Sequence, residues 1–302
     1  MTEQDTASGQ THSTFGSLPS SEDIRSIGDI IRDTRALSAA QVAEILQHQR
    51  LHGLKFGEAA IKLGYASPDD VLHALAEQFN YAVADGEQTA AHPELVVLNQ
   101  PFSQQAEAFR ATRAQILMRT QGEEGAPKAK RALAILSPNS GDGKTFFAAN
   151  LAVALAQLGG RTLVVDADLR GPRLHEVFGV DNNSGLSGLL SGRRGDSVIK
   201  SVKGISNLFV LPVGIQPPNP LELIEGAAFG LLLHELLNKF DHVVVDTPAA
   251  EFGADGLVAA ARCGVALIVA RKNSVRVDDL KALVQALSAS TAKVAGVVMN
   301  EY

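Results

Sequence analysis

The 302-residue sequence has no tryptophan, one cysteine and three tyrosines. Because Cys263 is the only cysteine, no disulfide can form within the chain, and a reducing compartment is favoured. No apolar run is long enough to span a bilayer, since the longest, residues 257–270, is interrupted by Arg262. The sequence therefore argues against a disulfide-stabilised scaffold and against a transmembrane helix.

An excess of basic charge is also lacking. Lys and Arg number 27 against 33 Asp and Glu, for a formal net charge of −6, so nucleic acid is not expected as a partner. Residues 1–10 are polar and acidic, without the apolar segment of a signal peptide, so we expect a cytoplasmic protein. The histidines show no paired ligand spacing, which argues against a histidine-based metal site.

Residues 136–145, with the sequence LSPNSGDGKT, form the most informative segment of the chain. They lie between a short apolar run, residues 132–136, and a longer one, residues 146–158, in the order strand, loop, helix. The segment matches the phosphate-binding pattern G-x-x-x-x-G-K-[ST], except that Pro138 stands in place of the first glycine. A glycine-rich loop without a nucleotide therefore stays an alternative for this segment taken alone.

The residue types in this loop suit a nucleotide. Gly141 and Gly143 let backbone N–H groups close around phosphate oxygens, next to the positive end of a helix. Lys144 can reach the β- and γ-phosphates, and the Thr145 hydroxyl can bind Mg²⁺. ATP and Mg²⁺ are the predicted cofactors. The predicted nucleotide contacts in the loop are Ser140, Gly141, Asp142, Gly143, Lys144, Thr145 and Phe146.

Two further predicted strands end in aspartate. Residues 162–165 lead into Asp166 and Asp168, and residues 242–245 lead into Asp246. Because ligands bind at the carboxyl ends of parallel strands, we expect these aspartates to converge on the loop. A single aspartate there is often only a helix cap, but the coincidence of three strand ends favours a site. The predicted catalytic residues are Lys144, Asp166, Asp168 and Asp246, and the predicted metal ligands are Thr145, Asp166 and Asp246.

Strands and helices alternate in the C-terminal two thirds of the chain. This alternation predicts an α/β domain over residues 100–302, with a doubly wound, mostly parallel sheet of the P-loop NTPase class. A linker with turn residues is predicted over residues 83–99. Residues 1–21, rich in Ser, Thr, Gly and Gln, are predicted to be a disordered leader.

The region between the leader and the linker contains an internal repeat. Gly28 and Gly57 lie 29 positions apart, as do Ser38 and Ser67. Each copy predicts a short helix, an N-cap at the serine and a longer amphipathic helix. Residues 22–82 are therefore predicted to be a small all-helical two-repeat domain.

Charged side chains recur along the first predicted helix of the α/β domain. Glu107, Arg110 and Arg113 are spaced by three residues, which we interpret as one helix face. Such a face can bridge to a neighbouring subunit or simply be solvated.

Six motifs follow one another along residues 100–300. They are E-x-x-R-x-x-R from Glu107, the phosphate loop, VVDADLR from Val164, NSGLS from Asn183, LPVGIQPPNPLE from Leu211 and DTP from Asp246. Their order resembles that of the bacterial tyrosine kinases, autokinases that regulate exopolysaccharide and capsule chain length. The resemblance implies ATP-dependent tyrosine autophosphorylation and a ring of subunits. It implies that the ring is built on Glu107, Arg110 and Arg113.

The N-terminal repeat carries a second resemblance, to the N-terminal domain of type II secretion and type IV pilus assembly ATPases. The combination is most similar to the soluble chain-length-determinant kinases of the EpsG type. It implies activation by a separate membrane protein, a polysaccharide copolymerase, and hence a peripheral position at the inner membrane through that partner. Some relatives of the repeat bind cyclic di-GMP through Arg-Leu-Gly. Because the triplets ending in Gly28 and Gly57 both lack that arginine, a docking module without nucleotide is the alternative.

The chain departs from the family at its end, where relatives usually carry a tyrosine-rich tail. Tyr302 is the only tail tyrosine and the predicted phospho-acceptor, with Asp168 drawing off its proton in the active site of the next subunit. A frayed terminus is the alternative. Asn300, at a predicted strand end, is predicted to contact adenine or else to be a turn residue.

Two functions of other classes stay open. A nucleotide-switch ATPase of the Min/Par type shares the expected sheet, but such proteins have a second lysine where this chain has Asn139. A cyclic di-GMP-responsive adaptor with vestigial kinase activity would account for the missing tyrosine cluster.

Overall fold

The computed structural model describes residues 26–78, 92–120, 130–193 and 197–301. The chain divides into two compact units, one ending at residue 80 and the other beginning at residue 81. The predicted leader lies outside the described residues, as does most of the predicted linker.

The N-terminal unit consists of two helix pairs, each a short helix followed by a longer one. The helices are α1 (Ile27–Thr34), α2 (Ala39–His52), α3 (Phe56–Lys62) and α4 (Pro68–Gln78). The Ser38 hydroxyl accepts the Gln41 N–H at 3.3 Å, and the Ser67 hydroxyl accepts the Asp70 N–H at 3.2 Å. Both predicted N-caps are therefore present at equivalent positions of the repeat.

The small core of this unit is formed by aliphatic side chains, with Ile30, Ile31 and Ile45 at most 1% exposed. The repeated glycine Gly57 lies where α3 meets α4, because a Cβ added to it would be 2.7 Å from the Val71 side chain. Packing rather than backbone conformation therefore explains the glycine at this position of the second copy.

The larger unit is an α/β sandwich with a seven-stranded sheet. Its helices are α5 (Val96–Asn99), α6 (Gln104–Thr120), α7 (Lys144–Ala156), α8 (Leu174–Phe178), α9 (Leu186–Leu190), α10 (Pro220–Glu225), α11 (Ala227–Lys239), α12 (Asp255–Cys263) and α13 (Val277–Ser288). Its strands are β1 (Ala132–Leu136), β2 (Thr162–Asp166), β3 (Lys200–Ser201), β4 (Leu208–Leu211), β5 (His242–Asp246), β6 (Gly264–Arg271) and β7 (Lys293–Asn300). A 3-10 turn, Ala250–Phe252, follows β5.

The strands lie in the order β3-β4-β2-β5-β1-β6-β7, and all pairs are parallel except β3 with β4. Separate apolar cores cover the two faces of the sheet, which explains why β1 and β2 are buried at every position. This confirms the predicted doubly wound, mostly parallel sheet.

The helix α7 lies in the middle of one core and is apolar nearly all round, with every residue from Phe147 to Ala156 buried. An all-round apolar surface is typical of a helix enclosed by protein. None of the helices in the described ranges is both long and apolar enough to cross a membrane.

The linker predicted for residues 83–99 extends too far. Residues 92–99 belong to the larger unit, where Leu95 is 2% and Val97 0% exposed. The Val97 N–H donates to the side-chain oxygen of Asn150 in α7 at 3.0 Å. The turn residues around Pro93 suggested a linker, whereas the short apolar run after them packs against α7.

Candidate active site: a phosphate loop and two acidic strand ends

The glycine-rich loop joins β1 to α7, as predicted. Gly141 and Gly143 have φ values of 79° and 95°, in the left-handed region that favours glycine. Gly143 is also the N-cap of α7, so the first N–H groups of that helix point towards the loop. The loop therefore has the backbone form of a phosphate cradle.

Two polar side chains brace this cradle from within. Asp142 is 1% exposed, and its carboxylate accepts the Asn139 N–H at 2.9 Å. Burial raises the pKa of Asp142, although the hydrogen bond from Asn139 opposes that effect. Asn300 donates its side-chain amide to the Asp142 carbonyl oxygen at 3.0 Å. The geometry thus gives both side chains a bracing function, and their predicted nucleotide contacts stay predictions.

A cavity of about 510 Å³ opens beside the loop and is lined by Ser140, Lys144, Thr145 and Asp168, among others. Lys144 is only 7% exposed, so its charge is concentrated inside this cavity. The aromatic ring of Phe146 packs edge-on against Phe109, at 5.8 Å between ring centroids. Because its ring packs against Phe109, we expect Phe146 to contact a nucleotide through its backbone at the start of α7 rather than through its ring.

Asp246, at the end of β5, lies against the loop. The Thr145 hydroxyl donates to Asp246 Oδ2 at 2.6 Å. Asp246 is 1% exposed, and its Oδ1 atom has no hydrogen-bond partner within the part of the chain that the structure describes. Burial raises the pKa of Asp246 to about 7, while Lys144 and Thr145 oppose the shift.

This unsatisfied carboxylate oxygen fits a cation. A buried polar atom without a partner is costly, and a hydroxyl with a carboxylate is a donor set that Mg²⁺ prefers. Among the described residues, no group of three or more His, Cys, Asp or Glu side chains could hold a metal ion by itself. Phosphate oxygens of a nucleotide would therefore have to complete the coordination of Mg²⁺.

Asp166, at the end of β2, is placed beside Asp246 in the sheet register. Its oxygens accept backbone N–H groups from Asp168 at 3.2 Å, Arg173 at 3.1 Å and Leu174 at 3.0 Å. Burial and the nearby Asp246 charge raise its pKa well above the usual range. Asp166 thus shapes the loop after β2, and its predicted metal and catalytic functions stay predictions.

Asp168 lines the cavity, as the predicted base must. Its Oδ1 atom accepts the N–H groups of Arg170 at 3.2 Å and Gly171 at 2.9 Å, which fix the carboxylate in a tight turn. Arg170 is anchored in turn by the buried carboxylate of Asp255, at 3.1 Å.

Three charged residues at the site lie outside the set predicted from the sequence. Arg173 and Glu94 form an ion pair on the wall of the cavity, and Glu251 accepts a hydrogen bond from the Ser140 N–H. Glu94 was overlooked because it lies in the segment interpreted as a linker. Arg173 follows Asp166 by seven residues, close enough that the strand-end motif could have included it.

The three charged side chains of α6 do not share one exposed face. Arg110 donates to Glu107 at 2.7 Å, but Arg113 donates to the Ala154 carbonyl oxygen near the end of α7. The prediction of a single face is wrong for Arg113, because each step of three residues rotates by about 300° and the direction drifts. The proposed subunit contacts of Glu107, Arg110 and Arg113 remain a prediction.

Comparisons with known proteins agree with this geometry. Residues 133–302 match the family model of the CobQ/CobB/MinD/ParA nucleotide binding domain. Putative tyrosine-protein kinase CapB of Staphylococcus aureus is 36% identical over 210 residues, which cover 68% of this chain and 89% of CapB. Other matching tyrosine-protein kinases are longer. The match covers 23% of tyrosine-protein kinase ptk of Acinetobacter johnsonii and 28% of tyrosine-protein kinase wzc of Salmonella typhi.

Two solved structures are also similar to this chain. The kinase domain of Escherichia coli tyrosine kinase ETK is 29% identical, with a TM-score of 0.65, over 70% of this chain and 82% of that one. The septum site-determining protein MinD of Pyrococcus horikoshii, complexed with Mg-ADP, is 26% identical, with a TM-score of 0.50. The match covers 57% of this chain and 70% of that one.

The fold, the phosphate loop and the family model define a nucleotide-binding domain of the P-loop class. Within that class the chain belongs to the bacterial tyrosine-protein kinases, as its identity with CapB over most of that protein shows. This confirms the kinase predicted from the sequence.

Proposed function

We propose that this chain uses ATP and Mg²⁺ to phosphorylate tyrosine on copies of itself, at Tyr302. The observation that carries the proposal is that Lys144 and Thr145 line one cavity and that the Thr145 hydroxyl donates to Asp246. The other carboxylate oxygen of Asp246 is buried and has no hydrogen-bond partner among the described residues. The Mg-ADP complex of MinD supports a magnesium nucleotide in this fold.

Each residue of the site has a different function in the proposed phosphoryl transfer. Lys144 and the N–H groups of the glycine loop would hold the phosphates, and Thr145 and Asp246 would hold the cation. Bound Mg²⁺ would neutralise charge that develops on the transferred phosphoryl group. Asp168 accepts the phenolic proton as the tyrosine oxygen bonds to the γ-phosphorus and ADP leaves. Since tyrosine has a pKa of about 10, the proton leaves during transfer rather than before it.

The acceptor comes from a neighbouring subunit in this proposal. Tyr302 lies outside the described residues, and Glu301 before it pairs with Lys272 at 2.8 Å. Self-association through α6 is supported by Glu107, whose side chain is 69% exposed while its partner Arg110 is 20% exposed.

The biological setting of the proposal is polysaccharide assembly, on the family resemblance. A separate membrane copolymerase would activate the kinase and bring it to the inner membrane, and the kinase would regulate chain length and export. Cyclic di-GMP binding by the helical unit stays a prediction, since neither copy has the arginine of the binding motif. A Min/Par-type switch is less well supported, because the more similar relatives are named tyrosine kinases.

The test is phosphate transfer from labelled ATP with Mg²⁺, with phosphosites mapped by mass spectrometry. Wild type, Lys144→Met and Tyr302→Phe are compared in the presence of the cytoplasmic segment of the copolymerase. We expect label on Tyr302 that disappears in both variants. Lys203→Met, which changes an exposed lysine away from the loop, serves as the matched control and should keep the label.

ATP hydrolysis without tyrosine labelling would contradict the autokinase and favour a switch or an adaptor. Label that persists in Tyr302→Phe on another tyrosine would keep the kinase and remove Tyr302 as its acceptor.

A further inference from the structure

The turn after β5 holds the outer side of the phosphate loop. The Ala250 N–H donates to the Ser137 carbonyl oxygen at 2.9 Å, and the Glu251 N–H donates to the Pro138 carbonyl oxygen at 3.1 Å. These two backbone bonds fix the backbone of Glu251 beside the first residues of the loop. The side chain is thereby directed at Ser140, whose N–H donates to Glu251 Oε1.

The Ser140 N–H belongs to the cradle that receives phosphate. Ser140 lines the same cavity as Lys144 and Thr145. Backbone N–H groups of such a loop are donors to phosphate oxygens. A carboxylate oxygen is also an anionic acceptor, and one N–H cannot serve both groups with good geometry.

We propose that Glu251 competes with the phosphates of the nucleotide for the Ser140 N–H and thereby sets nucleotide affinity. The proposal rests on the proposed function in one respect, since it requires a nucleotide at this loop. On binding, a phosphate oxygen takes the place of the carboxylate on Ser140, and Glu251 turns towards solvent.

The exposure of both residues makes this exchange easy. Ser140 and Glu251 are exposed, so the displaced carboxylate is hydrated at once. The same exposure limits the size of the effect, because exposed charges are screened by water and salt. Asp246 differs in this respect, since it is buried.

The two informative variants are Glu251→Gln and Glu251→Ala. Glutamine keeps the length and the acceptor oxygen but removes the charge, whereas alanine removes the competitor. Both keep the backbone hydrogen bonds that hold the turn. We expect nucleotide to bind about twofold to fivefold more tightly to each, and the gain to shrink in high salt.

The measurement is calorimetric titration of the full chain with Mg-ADP and with a non-hydrolysable magnesium ATP analogue. Glu235→Gln, an exposed carboxylate on α11, is the matched control and should bind like wild type. Thermal unfolding without nucleotide verifies that each variant is folded.

Tighter binding by both Glu251 variants supports the inference. Unchanged or weaker binding by folded variants overturns it, and leaves Glu251 as a support of the loop. If neither wild type nor variants bind nucleotide, the proposed function fails, and the inference fails with it.

Discussion

The ends of β2 and β5 carry the same residue type in the same register, yet they differ in what surrounds them. Asp166 and Asp246 are both almost fully buried, and burial raises the pKa of each. Asp166 accepts three backbone N–H groups, whereas one oxygen of Asp246 has no partner in the described structure. From this difference we predict that the carboxylate of Asp166 mainly supports the fold and that the carboxylate of Asp246 holds a ligand.

The largest expected effect on activity comes from a substitution at the end of β5. Asp246→Asn keeps an acceptor for Thr145 but removes the charge that would hold a cation. We expect tyrosine labelling to fall by about a hundredfold or more, as for the loss of a major electrostatic group in an active site. Denaturant unfolding should show unchanged or higher stability, because a buried charge is removed.

A variant that unfolds more easily while keeping its labelling rate would reverse the assignment of Asp246 to a ligand.

The next largest effect, on stability, is expected from a substitution at the end of β2. Asp166→Ala leaves three backbone N–H groups without their acceptor, including those of Arg173 and Leu174. We expect the free energy of unfolding to fall by about 3 kcal/mol, measured by urea denaturation. Asp166→Asn, which keeps acceptor capacity, is the control and should lose less. Equal stability of Asp166→Ala and wild type would place Asp166 with the ligand instead.

A pH titration of stability without nucleotide separates the two carboxylates further. The pKa of Asp246 is about 7 in the folded chain, against 3.8 for a free aspartate, so the folded state binds the extra proton between these values. Stability should therefore fall as pH rises from about 4 to about 7, and then level off. Asp246→Asn should weaken this fall, and Asp166 and Asp142, whose pKa values are also raised, contribute to what remains.

A pH profile identical in Asp246→Asn and wild type would show that the decline belongs to other groups.

The smallest effect concerns a partnered carboxylate in the helical unit, Asp70. Partial burial raises its pKa, but hydrogen bonds from Ser67 and the Arg35 guanidinium, 2.7 Å away, lower it overall. This stabilisation is present above the pKa of an unfolded aspartate and is lost as pH falls below it. Asp70→Asn should cost about 0.5–1 kcal/mol at neutral pH, measured by thermal unfolding, and little at pH 2.

A loss that persists unchanged at pH 2 would mean that packing, not charge, is what Asp70 contributes.

The features that the sequence predicts well are those encoded by neighbours along the chain. The loop conformation follows from Gly141 and Gly143, and the sheet follows from short apolar runs that alternate with helical segments. The serine caps of the repeat are equally local. Each of these depends on a few consecutive residues, which a pattern can represent.

The features that were missed depend on contacts between distant segments. Glu94 meets Arg173 across 79 positions, and Glu251 meets Ser140 across 111. The direction of Arg113 is set by α7 rather than by its own helix. The local sequence pattern does not determine which of several hydrogen-bond partners such a side chain contacts. These contacts can therefore be identified only from the three-dimensional structure.

One buried amide, that of Asn150, joins the first described segment of the larger unit to α7. Asn150 accepts the Val97 N–H and donates to the carbonyl oxygens of Glu94, at 2.7 Å, and Phe146, at 2.9 Å. It thereby holds residues 94–97 against the first turns of α7. Because α7 begins at the phosphate loop, one buried side chain fixes both the first described segment of the larger unit and the turn next to the candidate site. Loss of this single amide would therefore loosen two distant parts of the sequence at once.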